Sequence, residues 1–177
     1  MVIKIDHKGS EAFYKEVVNI VAQYRGLLKI PELKVEDLFK TYSLLAIACA
    51  IFFVLLGAMA IFWGADSMTN VLMVLMAVLF VILIVYLSTL KKLKRSMMED
   101  GRSSIITIDE NGVELNKEDS QVVKLAWNNV AFARVFNESI CFVSRDVSGL
   151  VIAMERVWEN EVFPYLREIA PDLKIVK

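Results

Sequence analysis

Histidine is nearly absent: His7 is the only one in 177 residues. That argues against a Ser-His-Asp triad or a multi-histidine metal site, both of which need imidazole nitrogens. Cysteine is almost as scarce. Cys49 and Cys141 stand far apart with no CxxC spacing and no histidine nearby, so neither a disulfide framework nor a zinc site is indicated. The seven glycines are scattered and form neither a GxGxxG nor a Walker-type loop, which removes phosphate cradles of those kinds. Asp109 and Glu110 are adjacent, but the turn beside them explains them better than a catalytic carboxylate pair does. The expectation is a non-enzymatic protein with no catalytic, cofactor-binding or metal-binding residues.

Charge is missing altogether from two long runs, residues 42–63 and 71–90. Hydrophobic residues make up 56% of the chain and mean hydropathy is +0.52, with the excess concentrated in these runs. At 1.5 Å of rise per residue, either run as an α-helix covers the roughly 30 Å hydrocarbon core of a bilayer. Their Leu, Ile, Phe and Val content favours insertion by about 3–6 and about 4–8 kcal/mol as upper estimates, with no charged residue opposing it. The pair reads as a transmembrane hairpin. A cleavable signal peptide does not fit, because 41 residues of mixed charge precede an apolar run longer than the usual core. Without an intramembrane charge, two spans alone do not make a transporter.

The turn at 64–70 has no Lys or Arg and contains Asp66, whereas Lys34 and Lys40 precede the first run. Lys91, Lys92, Lys94 and Arg95 follow the second as a membrane-interface basic cluster. The positive-inside rule places both ends in the cytoplasm and the turn outside. Tyr42, Trp63 and Tyr86 fall at or near the expected interfaces. On the first run Ser43, Ala46, Ala50, Gly57, Ala60 and Gly64 share one sector, a helix-packing face for the second span or for another copy. Phe53 projects into the same sector.

Before the hairpin, residues 1–10 are too brief a lead to assign. Phe13, Val17, Ile20, Val21, Tyr24 and Leu28 then recur at helical spacing, with Ser10 as cap and Pro31 as stop. Lys15, Glu16, Gln23 and Arg25 occupy the opposite face. This helix packs on the C-terminal domain or on a partner subunit, or else lies on the membrane; its segment is too weakly basic to favour lipid. Residues 32–40 are expected to lead helically into the first span.

After a basic linker at 91–103, the period changes from helical to alternating. Strands are expected at 104–109, 113–116, 121–126, 131–136, 140–144 and 150–154, with Glu110-Asn111-Gly112 and Asn137-Glu138-Ser139 as hairpin turns. Trp127-Asn128-Asn129-Val130 interrupts the series at a bend. A closing helix carries Trp158, Val162, Leu166 and Ile169 on one face, starts near Asn160 or Glu161 so that Pro164 falls near its first turn, and stops at Pro171. Trp158, Phe163 and Leu166 should bury against Ile106, Val123 and Phe142. Residues 104–177 hold eight Lys and Arg against twelve Asp and Glu, which argues against nucleic acid as a partner. Arg134 and Arg145 are the best candidates for anion contacts in this acidic segment.

The fold class is thus membrane α+β: segment 1–41, hairpin 42–90, linker 91–103, and a curled antiparallel sheet closed by a helix over 104–177. This layout resembles the YcxB-like family of bacterial membrane proteins, whose C-terminal domain is similar to pleckstrin-homology-like domains. The resemblance rests on Ile108-Asp109-Glu110-Asn111-Gly112-Val113, on Trp127-Asn128-Asn129-Val130, and on Ile152-Ala153-Met154 leading to Trp158. Members tend to carry a proline where this chain has Ala153 or Met154. The resemblance implies a location in the bacterial inner membrane and brings no catalytic residues. The function expected is an interaction or scaffold module whose partners are membrane lipids and another protein or its own copies. A ligand-gated two-span effector, whose β-domain senses a small molecule, and an immunity or accessory protein are the alternatives.

Overall fold

The computed structural model describes residues 3–7, 9–64, 66–100, 104–117, 120–146 and 149–176. Ala65 and Gly101, Glu118 and Asp119 of the expected polar turn, Val147 and Ser148, and the side chains of His7 and Trp63 lie outside the described residues. The chain divides into two units, Met1–Val35 with Lys94–Lys177, and Glu36–Leu93. The first unit thus draws on both sides of the hairpin.

That unit begins with β1 (Ile3–His7), which the brief lead did not betray. It pairs antiparallel with β2 (Ser104–Asp109), from Ile3 opposite Ile108 to His7 opposite Ser104. A five-residue strand has no stability alone; its ladder partner lies about a hundred residues downstream. β3 (Gly112–Lys117) and β4 (Ser120–Ala126) complete the sheet in the order β1-β2-β3-β4. The Asp109 carboxylate tightens the β2–β3 turn by accepting from the amides of Asn111 at 2.8 Å and Gly112 at 3.1 Å. Gly112 is required there, because a Cβ would run into the Leu125 carbonyl.

The bend expected at Trp127 is a 3-10 turn, Trp127–Asn129, and it separates two sheets. The second sheet contains β5 (Val130–Val135), β6 (Ser139–Ser144), β7 (Val151–Glu155) and the short β8 (Ile175–Val176), in the order β7-β6-β5-β8. β8 joins β5 in parallel. Ile106, Ile108, Val113, Leu125, Ile140, Phe142, Ile152 and Met154 form one shared core between the sheets. Helix α5, Glu159–Ile169 in chain order, adds Val162, Phe163 and Leu166 to it, and half-buried Trp158 packs against the cluster as expected. The helix starts earlier than anticipated, so Pro164 is interior rather than in the first turn. Both Pro164 and Asn160 are exposed, so water can take the hydrogen bond that proline cannot donate.

β6 is buried at every position. One face meets the core; the other is covered by α1 (Glu11–Ala22) and α2 (Tyr24–Lys29), which a break at Gln23 separates where one helix was expected. Ser10 caps α1 by accepting from the Phe13 amide at 3.1 Å. Ile20, Tyr24 and Leu27 pack on Phe132, Cys141 and Val143. Each such burial stabilises by about 1.5–3 kcal/mol, so the N-terminal helices close a second core layer.

The other unit is a helix pair. α3 (Leu38–Trp63) starts at Asp37, whose carboxylate accepts from the Lys40 amide at 3.2 Å. Residues 30–37 are not helical, contrary to the expected lead. α4 (Ser67–Asp100) is one continuous helix, so the basic stretch expected as a linker is helical through Asp100. Its Lys, Arg, Met and Glu residues are good helix formers. Tyr42, Ala46 and Cys49 meet Met76, Phe80, Leu83 and Leu87 at alternating spacings of four and three, the pattern of a left-handed seam. Both helices are long and apolar enough to cross a membrane, with mean hydropathies of 2.9 and 3.1.

Candidate functional site

Two sheets packed face to face leave edges, and β4 and β7 each pair on one side only. Near these edges four segments distant in sequence enclose an apolar cleft of about 240 Å³. Leu115 and Val123 come from β3 and β4, Leu150 from just before β7 and Ile152 from its start, Phe13 and Val17 from α1, and Met97 from the end of α4. Phe13 and Tyr14 meet edge to face, with ring centroids 5.2 Å apart, and stiffen the α1 wall. Ser104 adds a hydroxyl. Among the described residues that line the cleft none carries a carboxylate, amine, imidazole or thiol, and the wall they form suits an apolar group.

Polar clasps fix the walls. Glu16 accepts from the amides of Asn137 and Glu138, each at 3.0 Å, and from the Ser139 hydroxyl at 2.7 Å, pinning α1 to the β5–β6 turn. Sequence alone assigned Glu16 to a polar face; the only hint lay in the turn amides of Asn137-Glu138-Ser139, which need an acceptor. Lys94 donates to Glu11 at 2.7 Å, and Val17 and Phe13 pack near Met97 and Met98. The Tyr24 hydroxyl reaches the carbonyls of Ser144, at 2.8 Å, and Asp146. Burial pushes its pKa upward, which keeps it a donor at neutral pH.

The expected anion contacts separate. Arg134 donates to the carbonyls of Pro31 at 2.6 Å and Leu33 at 2.7 Å, and its guanidinium lies 4.6 Å from the Phe136 ring centre. Burial lowers its pKa, and its fork is occupied in holding the segment after α2. Arg145 is exposed and commits only its Nε, to the Val130 carbonyl at 3.0 Å. In the basic cluster Lys94 pairs with Glu11 and Arg95 with Glu99 at 2.8 Å, whereas Lys91 and Lys92 are exposed.

Of the six small residues of the expected packing face, Ala46 is buried in the seam. Gly57 and Ala60 are half-buried; Ser43, Ala50 and Gly64 are exposed, and a Cβ on Gly57 would meet open space. The face was derived from the helical pitch alone, which cannot say on which side bulky Phe80 and Leu83 will pack.

No family model matches the chain, and neither a curated protein nor a solved structure matches it. Among the described residues, no group of three or more His, Cys, Asp and Glu could hold a metal ion. Cys141 lies 3.5 Å from the Ser139 hydroxyl in the core, and burial pushes its thiol up to about 12, far from thiolate chemistry at neutral pH. Cys49 is buried in the helix seam.

Proposed function

We propose that the protein is a membrane-anchored, non-enzymatic interaction module. α3 and α4 span the bacterial inner membrane, with both chain ends in the cytoplasm and the 64–70 turn outside. Lys91 and Lys92 face anionic headgroups, each contributing about 1 kcal/mol of attraction. The two-sheet unit is a pleckstrin-homology-like domain of the YcxB-like type that holds a protein partner. The observation that carries this reading is the apolar cleft bordered by edge strands, beside a core already filled by its own side chains. An extended partner segment pairing with an edge strand and placing an apolar side chain in the cleft uses both features. The filled core weighs against a sensor whose ligand enters between the sheets.

A photo-crosslinking residue at Val122, exposed on β4, tests the reading in the full chain at native expression. The expected result is one defined adduct, to a partner protein or to a second copy, absent when the probe is at Val157. Monomer alone, with no adduct, would sink the interaction role. Ser67→Cys should be labelled from the periplasmic side; labelling from the cytoplasm alone overturns the topology.

A further inference from the structure

A second cavity, of about 400 Å³, lies at the corner where β4 gives way to β5, on the far side of α5's end. Its volume falls in the range of small-molecule sites. The apolar part of its wall is the half-buried Trp127 ring with Ile169 and Pro171; the polar part is Asn128, Arg145 and Asp172, with Lys174 at the margin.

The frame of this cavity is held while its charged tips are not. The Trp127 indole N–H donates to the Asp109 carbonyl at 2.9 Å, fixing the ring. The Arg145 amide donates to the Asn129 carbonyl at 2.7 Å and its Nε to the Val130 carbonyl at 3.0 Å, which roots the side chain and leaves both terminal nitrogens unspent among the described residues. The Ala133 amide bonds the Lys174 carbonyl at 2.9 Å, and the Leu173 amide bonds that of Ala170 at 3.0 Å, setting the opposite wall. The Lys174 ammonium already faces Glu32 at 3.6 Å. Arg145 and Asp172 thus remain as opposite charges on one cavity that do not pair with each other. The carbonyl end of α5 adds partial negative charge beside Asp172.

A simple anion would meet Asp172, and a simple cation would meet Arg145. We propose that the cavity binds a small zwitterion, an amino acid with an apolar side chain. Its carboxylate takes the two free nitrogens of Arg145 as a planar pair, the geometry a guanidinium fork favours. Its ammonium faces Asp172 and the last carbonyls of α5, and its side chain lies against Trp127, Ile169 and Pro171. This site is separate from the cleft proposed for a protein partner, and its fate is independent of that reading.

The test uses the full chain in detergent micelles with nitrogen-labelled tryptophan, whose three indole signals report Trp63, Trp127 and Trp158. Trp127→Phe assigns the reporter. Titrating L-leucine should shift the Trp127 signal saturably, with a dissociation constant of about 1 mM or tighter. Isocaproate and isoamylamine, each lacking one charge, should bind about tenfold more weakly, a loss of about 1.4 kcal/mol. Arg145→Gln and Asp172→Asn should each abolish saturation, while an unchanged Trp158 signal shows that the fold persists. No saturable shift up to about 10 mM leucine, meaning water alone fills the cavity, overturns the proposal. Saturation that survives both substitutions overturns it equally.

Discussion

The helix pair and the two-sheet unit use the same apolar residues in opposite ways. In the two-sheet unit, Ile106, Ile140 and Phe142 of the strands and Leu166 of α5 are fully buried. In the helices, Leu75, Val54, Ile61 and Phe62 are 59%, 68%, 82% and 79% exposed, and only a narrow seam is covered. The second surface belongs to two helices long and apolar enough to cross a membrane. Contiguous apolar exposure on this scale would be an aggregation surface in water and is the ordinary state of a helix in lipid. Packing organises the first region from within, whereas its surroundings must organise the second.

The sharpest way to break that comparison is to truncate one large side chain in each region. Phe142→Ala should cost about 3–5 kcal/mol, because the surrounding sheets cannot collapse into the void. Leu75→Ala, on an exposed helix face, should change stability by about 0.5 kcal/mol or less. Amide exchange of β5 and β6 in denaturant, on the full chain in micelles, measures the first; thermal unfolding of the helical signal measures the second. Equal losses would mean that the helices are packed as the sheets are.

A charge probes the solvent itself. Val78 on α4 and Val122 on β4 are comparably exposed, at 52% and 47%. Val122→Lys should be nearly neutral, within about 0.5 kcal/mol, since water receives the ammonium. Val78→Lys should cost about 2.5–3.5 kcal/mol of insertion free energy, read in a span trimmed until insertion is half complete. If Val78→Lys inserts as wild type, that face of α4 does not meet lipid.

How much of each region could be read from the chain follows the same division. β2 has its expected bounds because alternation and the Asp109-to-Gly112 turn are local signals. The helices announced themselves through composition. What stayed hidden was non-local: β1 has meaning only beside β2, and α1 with α2 only beside β6. One signal for the latter was present. Ile140-Cys141-Phe142-Val143 is a continuous apolar run, the mark of a strand buried on both faces, so a cover was required. The cleft was illegible because Phe13, Met97, Val123 and Leu150 converge only in three dimensions. Arg134 and Arg145 look alike in sequence, yet one is closed around backbone carbonyls and the other keeps free donors.

The smallest effect concerns how α1 is held. Lys94 hydrogen-bonds Glu11 and keeps its carboxyl below the usual value of 4.5. A depressed carboxylate pKa contributes stability that is present above the unfolded value and is lost as pH falls through the folded one. Wild-type α1 should therefore loosen as pH drops below about 4.5, and added salt should weaken the same exposed pair at neutral pH. Glu11→Gln should remove both dependences, giving at pH 7 the amide exchange at Phe13 and Tyr14 that wild type shows in acid, after correction for intrinsic rates. Identical profiles for wild type and variant would assign α1's attachment to the Glu16 clasp and to the apolar contacts of Phe13 and Val17 with Met97 and Met98. The cleft wall would then owe nothing to the Lys94–Glu11 pair.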